Sequence, residues 1–258
     1  MRWIAMLVLG FLFTAPVLGE TITISAAISL KESLEEIGKA YEAQTHDHVI
    51  FNFDASGKLA AQIKQGAPVD AFISADNGQM DSLVKAKTIM PESRRVVVGN
   101  TLVLIAPAGE KYAPKGFSDL ADDHGKKIAI GEPKTVPAGQ YAMQTLKSLK
   151  LDQAVASRLV YGESVRQVLT YVERDEVYAG IVYGTDAKQA GDKVKVIATA
   201  DESAHDKIEY PGAIITNSAH ADSARKFLDF LSSDTAKKVF VDKGFSIPPA
   251  SPSTRPTP

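Results

Sequence analysis

The sequence predicts an α/β fold of two lobes, each a mainly parallel sheet flanked by helices. Three observations carry this. Short β-branched runs alternate with amphipathic helical stretches from residue 20 onward, the pattern of strands joined by helical crossovers. Strand after strand runs into a small or hydroxyl residue that opens the next helix. Two stretches, residues 98–104 and 207–215, read as strands that cross between lobes.

The first nineteen residues stand apart. Arg2 gives a positive start, residues 4–13 are apolar, and Val17-Leu18-Gly19 ends small. This is the layout of a secretory signal peptide, 1–19, cleaved after Gly19. The apolar run is short for a bilayer span, and no later run is longer. The mature protein is therefore expected to be soluble and exported.

Residues 21–27 (TITISAA) form a predicted strand, followed by a helix with Leu30, Leu34, Ile37 and Tyr41 at helical spacing. Ser29-x-x-Glu32 has the form of a capping box. A strand at 48–53, a turn at 54–57 and a helix at 58–65 come next, with Ser56 in the cap position. A strand at 69–75 precedes a helix at 76–86 that Asp76 is placed to cap. The apolar run 95–106 is long for one strand and is interrupted at Gly99-Asn100, so it is expected to cross lobes with Gly99 near the hinge.

Residues 117–121 read as a helical turn. The stretch IAIGEPKTVPAGQYAM (128–143) reads as a buried strand, a Gly/Pro turn and a helix opening at Pro137. Helices follow at 153–157 and 165–175, with a strand at 159–161 between them and Ser164-x-x-Gln167 as a second capping box. Strands at 177–183, 194–200 and 208–216 continue the alternation, with a helix opening at Gly184. Pro211 marks the last strand as an edge or crossing strand. Helices at 221–231 and 234–243 close the chain, and the Pro/Ser-rich residues from 246 are expected to fray. The expected lobes are 20–98 plus 208–247, and 99–207, with 248–258 a disordered tail.

Composition narrows the chemistry. The 258 residues carry 29 basic and 31 acidic side chains and no cysteine. The balance gives no basic footprint for nucleic acid. The missing cysteine removes disulfides, thiolate metal sites and a lipid-modified cysteine. No enzyme constellation is present. Gly57-Lys58 lacks the Ser/Thr and first glycine of a P-loop, having Leu59 and Asn52 in those places. His46-Asp47-His48 lies in a polar loop and reads as surface histidines.

What recurs is the helix start. Pro137-Ala138-Gly139 offers Ala138 and Gly139 N–H groups at the positive end of a helix dipole, with little side chain in the way. Ser29, Ser56 and Val165 sit at similar starts, and Tyr183 ends a strand. Such uncharged donors suit a fully deprotonated oxyanion. A protonated one would need an acceptor such as Asp54.

AAISL (26–30), FDASGKLAAQI, GAPVDAFISAD, VGNTLVLIAP, IGEPKTVPAGQYA, SVRQVLTYVER, AGIVYGTDA and EYP (209–211) together resemble the periplasmic molybdate-binding proteins of bacterial ABC transporters. The segments keep their order over most of the chain. The resemblance implies a two-lobed type II periplasmic-binding fold with the ligand in the interlobe cleft. It implies molybdate or tungstate as ligand, no cofactor, no enzymatic activity, and a membrane permease as partner to a periplasmic monomer. Another oxyanion, such as sulfate or phosphate, is the alternative ligand. Carried over, the family's contacts fall on Ser29 and Ser56 (hydroxyl and N–H), Ala138 and Val165 (N–H) and Tyr183 (hydroxyl). The flanking Asp54 and Lys58 depart from the family's small hydroxyl residues. Lys58 would add a cation at the cleft mouth, and Asp54 would repel an anion or face solvent.

Overall fold

A computed structural model describes residues 19–122 and 125–249. The expected signal peptide up to residue 18, and the tail beyond residue 249, lie outside the described residues. Among those described, no helix is long and apolar enough to cross a membrane.

The chain begins with β1 (Thr21–Ala27), α1 (Lys31–Thr45), β2 (His48–Asp54), α2 (Ser56–Lys64), β3 (Ala71–Ile73), α3 (Asn77–Lys85) and β4 (Arg95–Gly99). It continues through β5 (Leu102–Pro107), β6 (Ile128–Gly131), α4 (Pro137–Ser148), α5 (Asp152–Val155), β7 (Leu159–Gly162), α6 (Val165–Glu173), β8 (Ala179–Tyr183), α7 (Gly184–Ala190) and β9 (Val194–Thr199). It ends with β10 (Glu209–Ile214), α8 (Ala221–Phe230) and α9 (Asp234–Lys243).

Two five-stranded sheets result, with orders β2-β1-β3-β10-β4 and β7-β6-β8-β5-β9. They repeat one plan. Three strands pair in parallel, a strand arriving from the other sheet's segment runs antiparallel beside them, and a fifth pairs antiparallel with that arrival. Four strands of each sheet therefore point one way, and their carboxyl ends face the space between the sheets. In such sheets ligands sit off the carboxyl ends of the strands, where helices begin.

Burial explains the strands. Ile22, Ile24 and Ala26 of β1 are fully buried, and every residue of β5 is buried. Helices cover the sheets with apolar stripes: Leu34, Ile37 and Tyr41 of α1, and Val165, Val168, Leu169 and Val172 of α6. The Tyr41 ring meets Phe227 of α8 edge-on at 5.2 Å.

Several expectations change in detail. The run 95–106 is two strands, β4 in the first sheet and β5 in the second, separated by Asn100 and Thr101; Gly99 still pairs with Glu209 in the first sheet. β10 is a crossing strand but not an edge. Its Pro211 is accommodated by a register shift between Tyr210 and Pro211, where a missing N–H costs no ladder bond. The strand expected at 69–75 is only Ala71–Ile73. Ser246 does not fray, because its backbone exchanges two hydrogen bonds with Gly99 (2.8 and 3.0 Å).

Candidate functional site

The serine-started helices do not begin as their capping patterns suggest. Ser29 lies inside a 3-10 turn, Ile28–Leu30, that leads into α1, and neither start has a side-chain cap. Its hydroxyl instead meets the Tyr210 hydroxyl at 3.0 Å. Ser56 is the first residue of α2, one place beyond the cap, and its oxygen accepts the Ala75 N–H at 2.9 Å. A serine oxygen that accepts from the backbone keeps its own proton available. The other two caps hold as expected. Asp76 accepts from Gln79 N at 2.8 Å, and Ser164 from Gln167 N at 3.2 Å.

The α4 start also differs in one respect. Gly139 N–H is not available, because it donates to Val136 O at 2.9 Å. Ala138, one residue earlier in a helix without a side-chain cap, carries the exposed end of the dipole.

Ser29, Ser56, Ala138, Val165 and Tyr183 all line one pocket, drawn from both sheets. Each is at most 4 % exposed. The pocket is small, with about 10 Å³ open to the centre of a water-sized sphere. No lysine, arginine or histidine lines it, and Asp54 is its one charged member among the described residues. One Asp54 oxygen accepts the Ala55 N–H at 2.7 Å. Lys58 turns away to Glu163, at 2.8 Å across the cleft, and that hydrogen bond raises its pKa. The Tyr183 hydroxyl is buried and makes no hydrogen bond among the described residues. The pocket thus presents O–H and N–H donors to whatever fills it.

The two sides are drawn together over this pocket. Gly57 N–H donates to Thr135 O at 3.0 Å, and Arg166 of α6 reaches Glu32 of α1 at 2.6 Å. Tyr141 O–H donates to Ala75 O at 3.4 Å. Arg166 also pairs with Asp186, fully buried behind the pocket, at 2.9 Å.

Burial pushes the Asp186 carboxyl up to about 7, against the pull of Arg166. A carboxyl raised in the folded state holds a proton that the unfolded chain has already released. Its contribution is therefore largest below the ordinary carboxylate range and is lost as pH rises towards 7. Glu20, Glu110, Glu163 and Glu209, whose pKa values are lowered by hydrogen bonds, lose theirs only at lower pH. Thermal denaturation of the ligand-free protein should show stability falling between about pH 5 and 7. Asp186→Asn should flatten that slope; an unchanged slope would remove Asp186 as its source.

The model for bacterial extracellular solute-binding proteins matches residues 22–246. The chain belongs to that family. Among similar members, the molybdate-binding protein ModA of Haemophilus influenzae is 41% identical over 92% of this chain and 93% of its own. ModA of Escherichia coli is 38% identical over 88% of this chain and 89% of its own. A solved structure, the substrate-binding domain of a molybdenum ABC transporter from Clostridium difficile, has 37% identity and a TM-score of 0.70, covering 90% of this chain and all of that one. The expected fold class and family resemblance are borne out. Membership gives an exported solute-binding protein of a transporter, not an enzyme.

Sequence reasoning missed Tyr210 and Asn100. Asn100 Nδ2 donates to the Tyr210 hydroxyl at 3.1 Å and to Thr185 Oγ1 at 2.9 Å. Both residues lie in quoted segments, VGNTLVLIAP and EYP. The available signal was a polar side chain inside each stretch already read as crossing between lobes.

Proposed function

We propose that this protein captures molybdate, and tungstate with it, in the enclosed pocket and delivers it to the permease of an ABC transporter. The observation that carries the reading is the convergence of donors from both lobes on one small pocket with no cationic lining. A doubly negative tetrahedral ion accepts from every direction and donates to none, so it matches a cage of O–H and N–H groups. In this reading Ser29 and Ser56 donate through hydroxyl and N–H, Ala138 and Val165 through N–H, and Tyr183 through its hydroxyl. Names of relatives that share most of the chain point to the same ion.

The lobes in this reading are residues 20–99 with 208–247, and 100–207, hinged at Asn100-Thr101 and at the return before β10. The protein works in the periplasm as a monomer after loss of residues 1–19. Asp54 excludes no dianion, because its near oxygen is held by Ala55 N–H, but it offers nothing to one either.

A thermal-shift screen tests the ligand. An ion at about a hundred times its dissociation constant stabilises by about 2.7 kcal/mol. For a chain of this size that is roughly 5–10 °C. Molybdate and tungstate should give such shifts, and sulfate and phosphate almost none. Sulfate is smaller and leaves fixed donors unmet; hydrogen phosphate brings a proton that finds no acceptor. A sulfate shift equal to that of molybdate would overturn the reading.

A further inference from the structure

We infer that Asn100 and Tyr210 are positioning residues: they fix the polarity of a hydrogen-bond chain that aims the Ser29 proton into the pocket. The inference rests on the oxyanion reading above and goes on to the two crossing strands, which that reading does not use.

The chain can be followed atom by atom. Asn100 sits between β4 and β5, at the passage between sheets. Its Oδ1 accepts the Thr101 N–H at 2.9 Å, which fixes the amide's orientation and makes Nδ2 the donor. The two protons of Nδ2 go to Thr185 Oγ1, at 2.9 Å, and to the Tyr210 hydroxyl, at 3.1 Å. All amide groups of this side chain are then committed.

Tyr210 on β10 is fully buried, and burial holds its hydroxyl protonated far above the ordinary phenol range. Its oxygen accepts from Asn100, so its proton needs another partner. The Tyr183 hydroxyl makes no hydrogen bond. Ser29 Oγ, at 3.0 Å, is left as the acceptor. Ser29 Oγ then receives from Tyr210, and its own proton points to the pocket it lines. An uncommitted serine rotor could turn its lone pairs inward instead, and an anion would meet an acceptor. Asn100, whose amide cannot accept at Nδ2, forbids that reversal. The same amide touches Thr185 of α7, so the chain ties the hinge and both lobes to one donor.

A double-mutant cycle separates this role from simple packing. Molybdate titration calorimetry is run on the wild type, Ser29→Ala, Tyr210→Phe and the double variant. Tyr210→Phe should weaken binding about tenfold in the wild type, the scale of a hydrogen bond to a charged group. In the Ser29→Ala background it should weaken binding less than twofold, because the group it acts through is gone. Equal losses in both backgrounds, or no loss in the wild type, would overturn the inference. Asn100→Asp provides a second reading should Tyr210→Phe not fold. Its carboxylate accepts the Tyr210 proton and reverses the chain, so its loss should be at least fivefold smaller without the Ser29 hydroxyl. An equal loss with and without that hydroxyl counts against the chain. A wild type that does not bind molybdate at all would instead sink the ligand assignment, and is told apart by that first titration.

Discussion

Gly57→Ala should lower molybdate affinity by at least about a hundredfold while leaving the ligand-free protein as stable as before or slightly more so. A Cβ at Gly57 would stand 2.6 Å from Thr135 O and 2.7 Å from Thr135 Cα. Both are backbone atoms, so no side-chain rotation relieves the overlap. Gly57 opens α2 on one side of the cleft; Thr135 precedes α4 on the other, and the two already share a 3.0 Å hydrogen bond. The added methyl is accommodated only if the lobes part. Apparent affinity falls by the fraction of molecules able to close, and parting the lobes also gives up the Gly57, Arg166 and Tyr141 contacts across the cleft. In the separated state the methyl lies in an ordinary helical position, where alanine is favoured over glycine by up to about 1 kcal/mol. Calorimetry with molybdate gives the first quantity and denaturant unfolding without ligand the second. Affinity within threefold of the wild type would show that this contact does not gate closure.

The order of strands and helices was legible because each is written in local periodicity. β1, β2 and α6 alternate or repeat as their burial requires, and α9 begins and ends as the pattern said. The helix starts that line the pocket were legible for the same reason: small residues after a strand. What those side chains do was not. Ser29 looks like a cap because Glu32 follows it, yet its partner Tyr210 is 181 residues away. Ser56 answers to Ala75, nineteen residues on, across the end of β3. Gly139 was read as a free donor, but the tight turn before α4 folds Val136 O onto its N–H. In each case a contact made by tertiary folding displaced the local one. The pairing of β10 between β3 and β4, with a shift at Pro211, belongs to the same class. A proline can signal that a ladder is interrupted, but not which strand lies opposite.

Tyr183→Phe is expected to move stability and binding in opposite directions. The hydroxyl is buried without a hydrogen-bond partner among the described residues. A polar group in that state costs roughly 1–3 kcal/mol. Phenylalanine removes the oxygen and keeps the ring, which packs 5.8 Å from Tyr210. The ligand-free variant should therefore be more stable, by up to about 2 kcal/mol after allowing for the small void left behind. Molybdate loses one donor to a charged acceptor, worth roughly 1.5–3 kcal/mol, and should bind about 10–100-fold more weakly. Ser56→Ala makes the contrast. Its oxygen serves Ala75 N–H at 2.9 Å, so that variant strands a buried donor and should lose stability as well as affinity. Unfolding curves with and without molybdate measure both quantities for both variants. A ligand-free Tyr183→Phe that melts below the wild type would mean the hydroxyl is already satisfied in the empty protein. A Tyr183→Phe that is stabilised and still binds fully would mean the unpartnered phenol serves something other than the anion. A stabilised variant with weakened binding leaves one explanation: the fold tolerates an unsatisfied hydroxyl because the ligand satisfies it.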